Sequence, residues 1–511
     1  MVIRKYLLII VYIVSFNLSF VIASSLAFAK ERQTLKWAAD TESGAPFVFP
    51  DSRNPNKLIG FEAEIIEAIG KELNFDLEFV QNQWDFLIPG MQRGDYDVAI
   101  NGIEITPDRK EVVNFSIPYY ITFEQLIVNA NDESNYHTLA DLDGKKVGTL
   151  SGSLAERILR GAPGIIVRTY DSEAMSFSDL EVNRLDAVLI DQPVALYYAS
   201  WNKNLKIIDV PFGEVVYGIV IKDDEKLLKD INHALSKLIA TGKLRKIYDD
   251  WNLWNDVMAA HFNDREKSNA KPYRFEDYIR EKGVESSFTD IIKKYWSYAP
   301  RLGTAAVITL QLSILSMVLA IVFGLFLALV KVYAPNPFST MASLFIELIR
   351  GTPLLIQLFF IYYALPHIPY IGIKLDPFLA AIVSLGINYA AYEAENYRAG
   401  LYSVSRGQLE AAISLGMTKF QALKYIIIPQ ALRMVIPPIT NDFISLIKDS
   451  SLVSVIAMVE LTKEYDRIAS ESLDYIGIGI IVAIIYLLLG LPFVKLSKYV
   501  EKKFSLIKNG K

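Results

Sequence analysis

The sequence predicts a soluble α/β half followed by an all-α membrane half, and two observations support this. Between about residues 33 and 255, short apolar segments of strand length alternate with amphipathic segments of helix length. From about residue 304 onward, the apolar runs reach the roughly 20 residues that a helix needs to cross a bilayer. The 511 residues have room for about three domain-sized units.

Composition excludes several kinds of site. The chain has no cysteine, so disulfides, thiolate metal sites and cysteine nucleophiles are excluded. Its four histidines have no ligand spacing, and we expect no metal site and no cofactor. The net charge of −5 offers no basic face for nucleic acid. The phosphate-binding pattern G-x-x-x-x-G-K-[ST] does not occur in the sequence, so we expect no catalytic residues and no ATP hydrolysis by this chain.

Residues 1–29 have the features of an export signal. Arg4 and Lys5 precede an apolar stretch from Tyr6 to about Phe20, and Ala27-Phe28-Ala29 matches a cleavage site. An uncleaved membrane anchor is the alternative. In either case, we expect the chain after Ala29 to begin outside the cytoplasm.

The soluble half begins with a helical face, and strands follow. Apolar residues from Phe61 to Leu73 recur with helical spacing. The predicted strands are Leu77–Val80, Asp97–Ile100, Lys146–Leu150, Ile165–Arg168 and Ala187–Ile190. In such sheets ligands bind beyond the carboxyl ends of the strands, where turns and helix N-termini present N–H groups.

Polar residues follow several of these strand ends. Thr106 is a predicted N-cap with Pro107 at the first helical position, which places Arg109 near a helix start, where it can bind a carboxylate through two hydrogen bonds. An ordinary surface arginine is the alternative. Asp191 could hold an ammonium group, or it could cap the helix that follows. Gly152 and Ser153 offer N–H groups and a hydroxyl.

In combination, several motifs of this half resemble those of periplasmic binding proteins for polar amino acids. They are G-F-E at Gly60–Glu62, the stretch Trp84–Pro89, I-T-P-D-R at Ile105–Arg109, F-S-I-P-Y at Phe115–Tyr119, L-D-G-K-K-V-G at Leu142–Gly148 and Y-G-I at Tyr217–Ile219. The resemblance implies a bilobed type II periplasmic binding protein fold over 33–255. One lobe is expected from about 33–126 and 214–255, the other from about 130–210.

The same resemblance implies roles for individual residues. Arg109 would bind the α-carboxylate of an amino acid together with N–H groups of Gly102, Glu104 and Ser153. Asp191 would bind the α-ammonium group, while Asp40 and Trp84 would meet the side chain. Glu104 departs from the usual Ser or Thr, and Gly44 replaces an aromatic residue. Glu104 could favour a cationic side chain, or it could point to solvent; both glutamine-like and lysine- or arginine-like ligands remain open.

The second half is predicted to cross the membrane five times after a linker at 256–298. The predicted spans are Leu302–Val330, Met341–Leu365, Pro377–Tyr397, Met434–Val459 and Ile476–Val494. An outside start then puts the 501–511 tail in the cytoplasm. The loop after the third span and the tail are rich in Lys and Arg, whereas the loop after Val459 is acidic, which agrees with that topology.

The loop Gly407–Pro429 has the spacing of a coupling element. Its Glu410-Ala411-Ala412 triplet, followed by Gly416 and Ile428-Pro429, resembles the EAA loop of ABC importer permeases. The R-G-T-P-L-L and I-K-D-S-S-L stretches also resemble polar amino-acid permeases, and the likeness covers about 300–500. An ordinary helical hairpin between spans is the alternative.

The resemblance implies a substrate-binding and permease subunit of an amino-acid importer in the bacterial inner membrane. It would work as a homodimer with two separate ATPase subunits. A ligand-gated channel is one alternative, but both lobes precede the first span and no T-V-G-Y-G filter occurs in the sequence. A sensor is the other, but no signalling domain follows the last span in this sequence.

Overall fold

The computed structural model describes residues 33–42, 44–51, 54–264, 271–282, 288–369, 372–456, 458–472 and 474–504. The predicted signal at 1–29 and the end of the tail, 505–511, lie outside these ranges. Within them the chain forms two five-stranded sheets, a two-stranded hairpin and a long helical half.

The first lobe is built on a mixed sheet with the order β4-β1-β5-β12-β6. Strands β1, β4 and β5 run parallel, while β12 is antiparallel to both β5 and β6. The strands are β1 (Thr34–Ala39), β4 (Asp76–Gln81), β5 (Val98–Ala99), β6 (Asn114–Phe115) and β12 (Val220–Ile221). The hairpin strands are β2 (Phe49–Asp51) and β3 (Asn54–Ile59). The helices are α1 (Phe61–Leu73), α2 (Leu87–Arg93), α3 (Pro107–Lys110), α7 (Glu225–Ala240) and α8 (Lys243–Asp250).

The second lobe has the sheet order β11-β7-β10-β8-β9. Its strands are β7 (Tyr120–Asn129), β8 (Lys146–Leu150), β9 (Ile166–Tyr170), β10 (Ala187–Asp191) and β11 (Leu205–Tyr217). Its helices are α4 (Leu154–Gly161), α5 (Glu173–Glu181) and α6 (Gln192–Ala199). The predicted strands of both lobes occur; Lys146–Leu150 has the predicted ends, and the ends of the others differ by at most two residues.

Two long strands carry the chain between the lobes. β7 leads out of the first lobe and β11 leads back, and they pair antiparallel from Leu205 opposite Asn129 to Tyr217 opposite Tyr120. The register shifts twice along β11, near Pro211 and Gly213. Bulges bend a paired strand, so this ribbon is the natural place for the lobes to move relative to each other.

Part of the predicted linker packs on both lobes, because Phe275 and Tyr278 also contact Tyr197 of α6. Helices α9 (Asp256–His261) and α10 (Tyr273–Lys282) follow the last helix of that lobe. Phe275 and Tyr278 of α10 pack against the apolar core, and Arg274 forms an ion pair of 2.9 Å with Glu64. The polar composition of this stretch concealed an apolar face on one short helix.

The second half is helical throughout. Its main helices are α11 (Phe288–Tyr333), α12 (Phe338–Gly351), α13 (Leu354–Phe359), α14 (Pro377–Ser403), α15 (Arg406–Ser414), α16 (Lys419–Ala422), α17 (Ile428–Asp449), α18 (Leu461–Ser472) and α19 (Tyr475–Phe504). Long helices α11 and α14 pack together, with alanines at the contact, and α17 and α19 pack beside them. Small side chains let helices approach closely in a bilayer.

In the described ranges, three helical segments are long and apolar enough to cross a membrane, or four if a bent pair counts as one span. The bent pair is α12 with the segment Leu354–His367, which meet at 108°. Pro353 ends α12 because proline disfavours a helical residue before it, so the predicted span Met341–Leu365 contains a sharp bend. The predicted span Pro377–Tyr397 lies in α14, whose polar residues keep it out of that set. The count of five stays a prediction.

Candidate functional site

A small cavity lies between the two lobes. Its lining residues come from both lobes: Phe47, Trp84, Asn101, Gly102, Glu104, Leu150, Ser153, Ala155, Glu173, Ile190, Asp191 and Val194. Its volume is about 20 Å³, on the scale of one water molecule. The lobes are therefore closed on each other, and an amino acid can enter only when they separate.

Arg109 is placed as its local sequence predicts. The Thr106 hydroxyl caps α3 by accepting from the Arg109 N–H at 3.3 Å, and Pro107 holds the first helical position. The guanidinium group lies 5.0 Å from the centre of the Trp84 ring and donates to the Gly152 carbonyl at 3.3 Å. Arg109 thus reaches from the first lobe to the second across the edge of the cavity.

The partner of Arg109 in this conformation is the Glu104 carboxylate. Nη1 of Arg109 contacts Oε2 of Glu104, while Oε1 accepts from the Leu154 N–H at 2.8 Å. Leu154 opens α4, so Glu104 bridges a guanidinium in one lobe and a helix N-terminus in the other, a typical carboxylate site. The Glu104 side chain is only 4% exposed, so the alternative that it points to solvent is wrong.

Asp191 follows β10 at the N-cap of α6, yet its side chain makes no capping hydrogen bond. The hydroxyl of Tyr217, the residue at which β11 re-enters the first lobe, donates to Oδ2 instead. Burial and the nearby Glu104 raise the pKa of Asp191 to about 8. A carboxylate released from capping and facing a closed cavity is suited to a cationic group.

Two further buried carboxyl groups face this region, and sequence analysis missed both. Glu124 lies opposite Asp191 in the β7–β10 register, fully buried, and neither oxygen has a hydrogen-bond donor among the described residues. Burial, then Asp191 and Glu104, raise its pKa well above the usual range. Glu173, at the start of α5, lines the cavity, and burial raises its pKa to about 8. A glutamate inside the largely apolar strand Tyr120–Asn129 was the available signal for Glu124.

The remaining predicted site residues already form hydrogen bonds within the protein. Gly102 lines the cavity, but its N–H donates to Glu62 at 2.7 Å. The Ser153 hydroxyl caps α4 by accepting from the Glu156 N–H at 3.2 Å. Asp40 does not line the cavity; its carboxylate accepts from the Trp84 N–H at 2.9 Å and from Gln81 at 3.0 Å. Asp40 therefore fixes the position of Trp84 through its backbone N–H, without lining the cavity itself.

The loop Gly407–Pro429 forms two short helices joined at Gly416. Glu410, Ala411 and Ala412 lie in α15; Ala412 is buried, whereas the other two are exposed. Gly416 has a φ of +85°, which favours glycine, and a Cβ added there would meet no atom within 4 Å. Leu415 is 83% exposed and Phe420 is 72% exposed. Such apolar side chains on a helical elbow are typical of a docking surface.

Comparison with known families agrees with this division of the chain. Residues 35–253 match the bacterial extracellular solute-binding proteins of family 3. Residues 320–506 match the inner membrane component of binding-protein-dependent transport systems. The predicted fold class, a type II periplasmic binding protein fold before a helical permease domain, is thereby confirmed.

Similar proteins are known for each half. The probable amino-acid permease protein YxeN of Bacillus subtilis is 41% identical over 40% of this chain and 92% of that protein. The glutamine transport system permease protein GlnP of Escherichia coli is 35% identical over 42% of this chain and 96% of that protein. An ancestral arginine-binding protein bound to glutamine is 35% identical over 44% of this chain and 99% of that structure, with a TM-score of 0.41.

Two family matches and full-length similarity to separate permeases thus occur within one polypeptide. The apolar helices and the permease relatives make it a membrane protein. The chain belongs to the inner membrane components of binding-protein-dependent transport systems, and it is a fused solute-binding protein and permease of the amino-acid ABC importer type.

Proposed function

We propose that this protein captures a polar or basic L-amino acid outside the cell and passes it through its own membrane domain. The observation that carries the proposal is the Asp191 carboxylate. It is not used for capping its helix, and it faces a cavity shared by both lobes. Similarity to permeases named for amino acids and glutamine supports the same class of substrate.

In the bound state, the ligand's α-carboxylate would replace Glu104 beside Arg109 and the N-terminus of α4. Its α-ammonium group would bind Asp191. Trp84 would contact the ligand side chain, whereas Asp40 would act through Trp84. The assignments of Gly102 and Ser153 need their present hydrogen bonds to rearrange.

The excess of carboxyl groups in the cleft favours a basic side chain over a neutral one. Glu124, Glu173 and Asp191 lie within or beside the cavity, and Glu104 would join them once the ligand's α-carboxylate replaces it beside Arg109. Buried carboxylates without cations are costly. Lysine or arginine would supply a second positive charge, so we expect these to bind more tightly than glutamine.

Transport would be driven by a separate ATPase subunit that docks on the Gly407–Pro429 loop. The exposed Leu415 and Phe420 and the Glu410-Ala411-Ala412 triplet support this assignment. A single such loop per chain, in a family that uses two, favours a homodimer with two ATPases. The binding domain would lie outside the bacterial inner membrane, with the loop and the C-terminus inside.

Calorimetry on the full chain in lipid nanodiscs, with each of the twenty amino acids, tests the substrate assignment. We expect Arg109→Ala to abolish binding of every amino acid, because each charge-assisted hydrogen bond to the carboxylate contributes about 1.5–3 kcal/mol. Arg157→Ala is the matched control, because Arg157 also approaches the Gly152 carbonyl, at 3.5 Å, but is exposed. Unchanged affinity in Arg109→Ala would reject the carboxylate site.

A further inference from the structure

Helix α18 belongs to the membrane half, yet it contacts both lobes of the binding domain. It contacts the first lobe at Thr41 and Glu42, directly after Asp40. It contacts the second lobe at Ser172, directly before the cavity-lining Glu173. α18 therefore bridges a first-lobe segment next to Asp40, which supports Trp84, and a second-lobe segment next to Glu173, which lines the cavity.

The contact with the first lobe is a buried ion pair. Nζ of Lys463 lies 2.6 Å from Oε1 of Glu42, and the Lys463 side chain is fully buried. Among the described residues, neither atom has another hydrogen-bond partner. One turn along, Arg467 donates to the Thr41 hydroxyl at 3.2 Å. Removing one member of such a pair deprives the other, buried group of its nearest opposite charge, so the contact depends on both residues.

The contact with the second lobe is a set of hydroxyl groups. The Ser172 and Ser470 hydroxyl oxygens are 3.5 Å apart, and Ser470 is 3.3 Å from the Tyr475 hydroxyl. Ser172 and Ser470 are both buried at this junction. Hydroxyl contacts of this kind are weaker than the ion pair and can form and break as a lobe moves.

The first lobe has a second attachment to the membrane half, away from α18. The Arg93 guanidinium lies 3.6 Å from the centre of the Tyr362 ring, and Lys374 forms an ion pair of 2.8 Å with Asp95. Phe86 stacks on Tyr363 with ring centres 4.9 Å apart. All of these contacts come from the first lobe, and none involves the second.

From this arrangement, we infer that α18 is the element through which the membrane domain distinguishes a closed binding domain from an open one. The first lobe stays docked through Lys374 and Lys463. Rotation of the second lobe about the β7–β11 ribbon then brings Ser172 to Ser470. The inference rests on the proposed capture function, because closure reports substrate to the membrane domain only if an amino acid binds between the lobes.

Introduced cysteines test this cleanly, because the chain has none of its own. In the full chain in nanodiscs, Ser172→Cys with Ser470→Cys should form a disulfide several times more readily when L-arginine or L-glutamine is bound. Phe86→Cys with Tyr363→Cys, joined by a short bis-maleimide, is the matched control on the first lobe and should not respond. Equal disulfide yield with and without a bound amino acid would overturn the inference.

A second experiment uses no ligand, so its result can be interpreted even if the protein binds no amino acid. Glu104→Ala removes the hydrogen bond to Leu154 that joins the lobes. We expect the Ser172–Ser470 disulfide yield to fall severalfold in this background, while the Phe86–Tyr363 yield stays constant. No change in the first pair would contradict the inference, whereas absence of amino-acid binding alone would contradict only the proposed capture.

The ion pair is tested by charge exchange. Lys463→Met should lower the Ser172–Ser470 yield severalfold and abolish uptake, with amino-acid affinity within about threefold of the wild type as the check on folding. Lys463→Glu combined with Glu42→Lys should restore both readouts. Lys463→Met with wild-type cross-linking and uptake would reject a role for α18 in reading closure.

Discussion

Glu104 holds the position beside Arg109 that a ligand carboxylate would take. It also occupies the N-terminus of α4 in the other lobe through the Leu154 N–H. A ligand must displace this side chain before it can form the same bonds. Glu104→Ser should therefore tighten amino-acid binding by roughly tenfold to a hundredfold, the equivalent of about 1.5–3 kcal/mol for one charged hydrogen bond.

Calorimetry on the full chain measures that change. Glu156→Ser is a suitable control, because Glu156 also accepts an N–H at the start of α4, from Gly152 at 2.7 Å, but forms no hydrogen bond or ion pair with Arg109 in the described part of the chain. Weaker binding in Glu104→Ser would mean that Glu104 contributes to ligand binding and does not compete with it.

The raised pKa of Asp191 makes binding dependent on pH. With the lobes closed and no ligand bound, burial and the nearby Glu104 raise this pKa to about 8, so below that pH the carboxyl group is mostly protonated. An ammonium ligand stabilises the charged form and lowers this pKa, so binding releases a proton. Affinity should fall as the pH drops below about 8, by up to about tenfold per pH unit for one proton.

Calorimetry at pH 6, 7 and 8, in buffers with different heats of ionisation, measures both the slope and the released proton. Asp191→Asn should lose affinity and should also lose this proton release. Affinity that stays constant from pH 6 to 8, without any buffer-dependent heat, would be inconsistent with Asp191 as the ammonium site.

Sequence analysis identified the residues at strand ends but not those inside strands. Arg109 and Asp191 stand out because each follows a predicted strand and begins a turn or a helix. Glu124 did not, because it lies within β7, and only the register with β10 reveals that it faces Asp191. Asp40 shows the opposite case: the family resemblance implied contact with the ligand side chain, whereas in this structure its carboxylate accepts hydrogen bonds from Trp84 and Gln81.

Among the helical elements, the loop between α14 and α17 offers the sharpest prediction. Gly416 joins α15 to α16 with a φ of +85°, where a β-branched residue is strongly disfavoured. A Cβ there meets no atom, so Gly416→Val would change the direction of the backbone without a clash. We expect amino-acid capture to persist, while uptake and amino-acid-stimulated ATP hydrolysis disappear.

Gly407→Val is the matched control, because Gly407 lies in α15 without a positive φ and its Cβ would meet only Ser405, at 3.5 Å. Reconstitution with the ATPase subunit, followed by uptake and hydrolysis assays, separates capture from coupling. Normal uptake by Gly416→Val would remove the support for a coupling role.

In the membrane half, the pattern of apolar residues predicts where helices lie but not the angles between them. Hydropathy located α11 and α19 well, because long apolar runs form helices wherever they lie. It could not show that α12 and the segment after Pro353 meet at 108°, because average hydropathy is insensitive to direction. The proline itself was the local signal for that break.

At the scale of the whole molecule, the docking of the two halves lay beyond sequence analysis. Lys374 is separated from Arg93 by 281 positions, and Asp95 lies beside Arg93 in the sequence. Each of the three looks like an ordinary surface charge in the sequence. Only the folded chain brings them together with Tyr362. The motifs of each half predicted its fold. The contacts between the halves could not be predicted, because they depend on how the two folded surfaces fit together.

Orientation across the membrane is the property on which the importer depends. A binding domain must face the supply of ligand, and the loop at Gly407–Pro429 must face the nucleotide. Lys71 in α1 and Leu415 in the loop are both largely exposed, at 79% and 83%. In spheroplasts, a membrane-impermeant maleimide should label Lys71→Cys at once and Leu415→Cys only after the membrane is permeabilised. The cysteine-free parent chain is the control for background. Labelling of Leu415→Cys in intact spheroplasts would place the loop outside, where no ATPase could act on it, and transport driven by ATP would then be untenable.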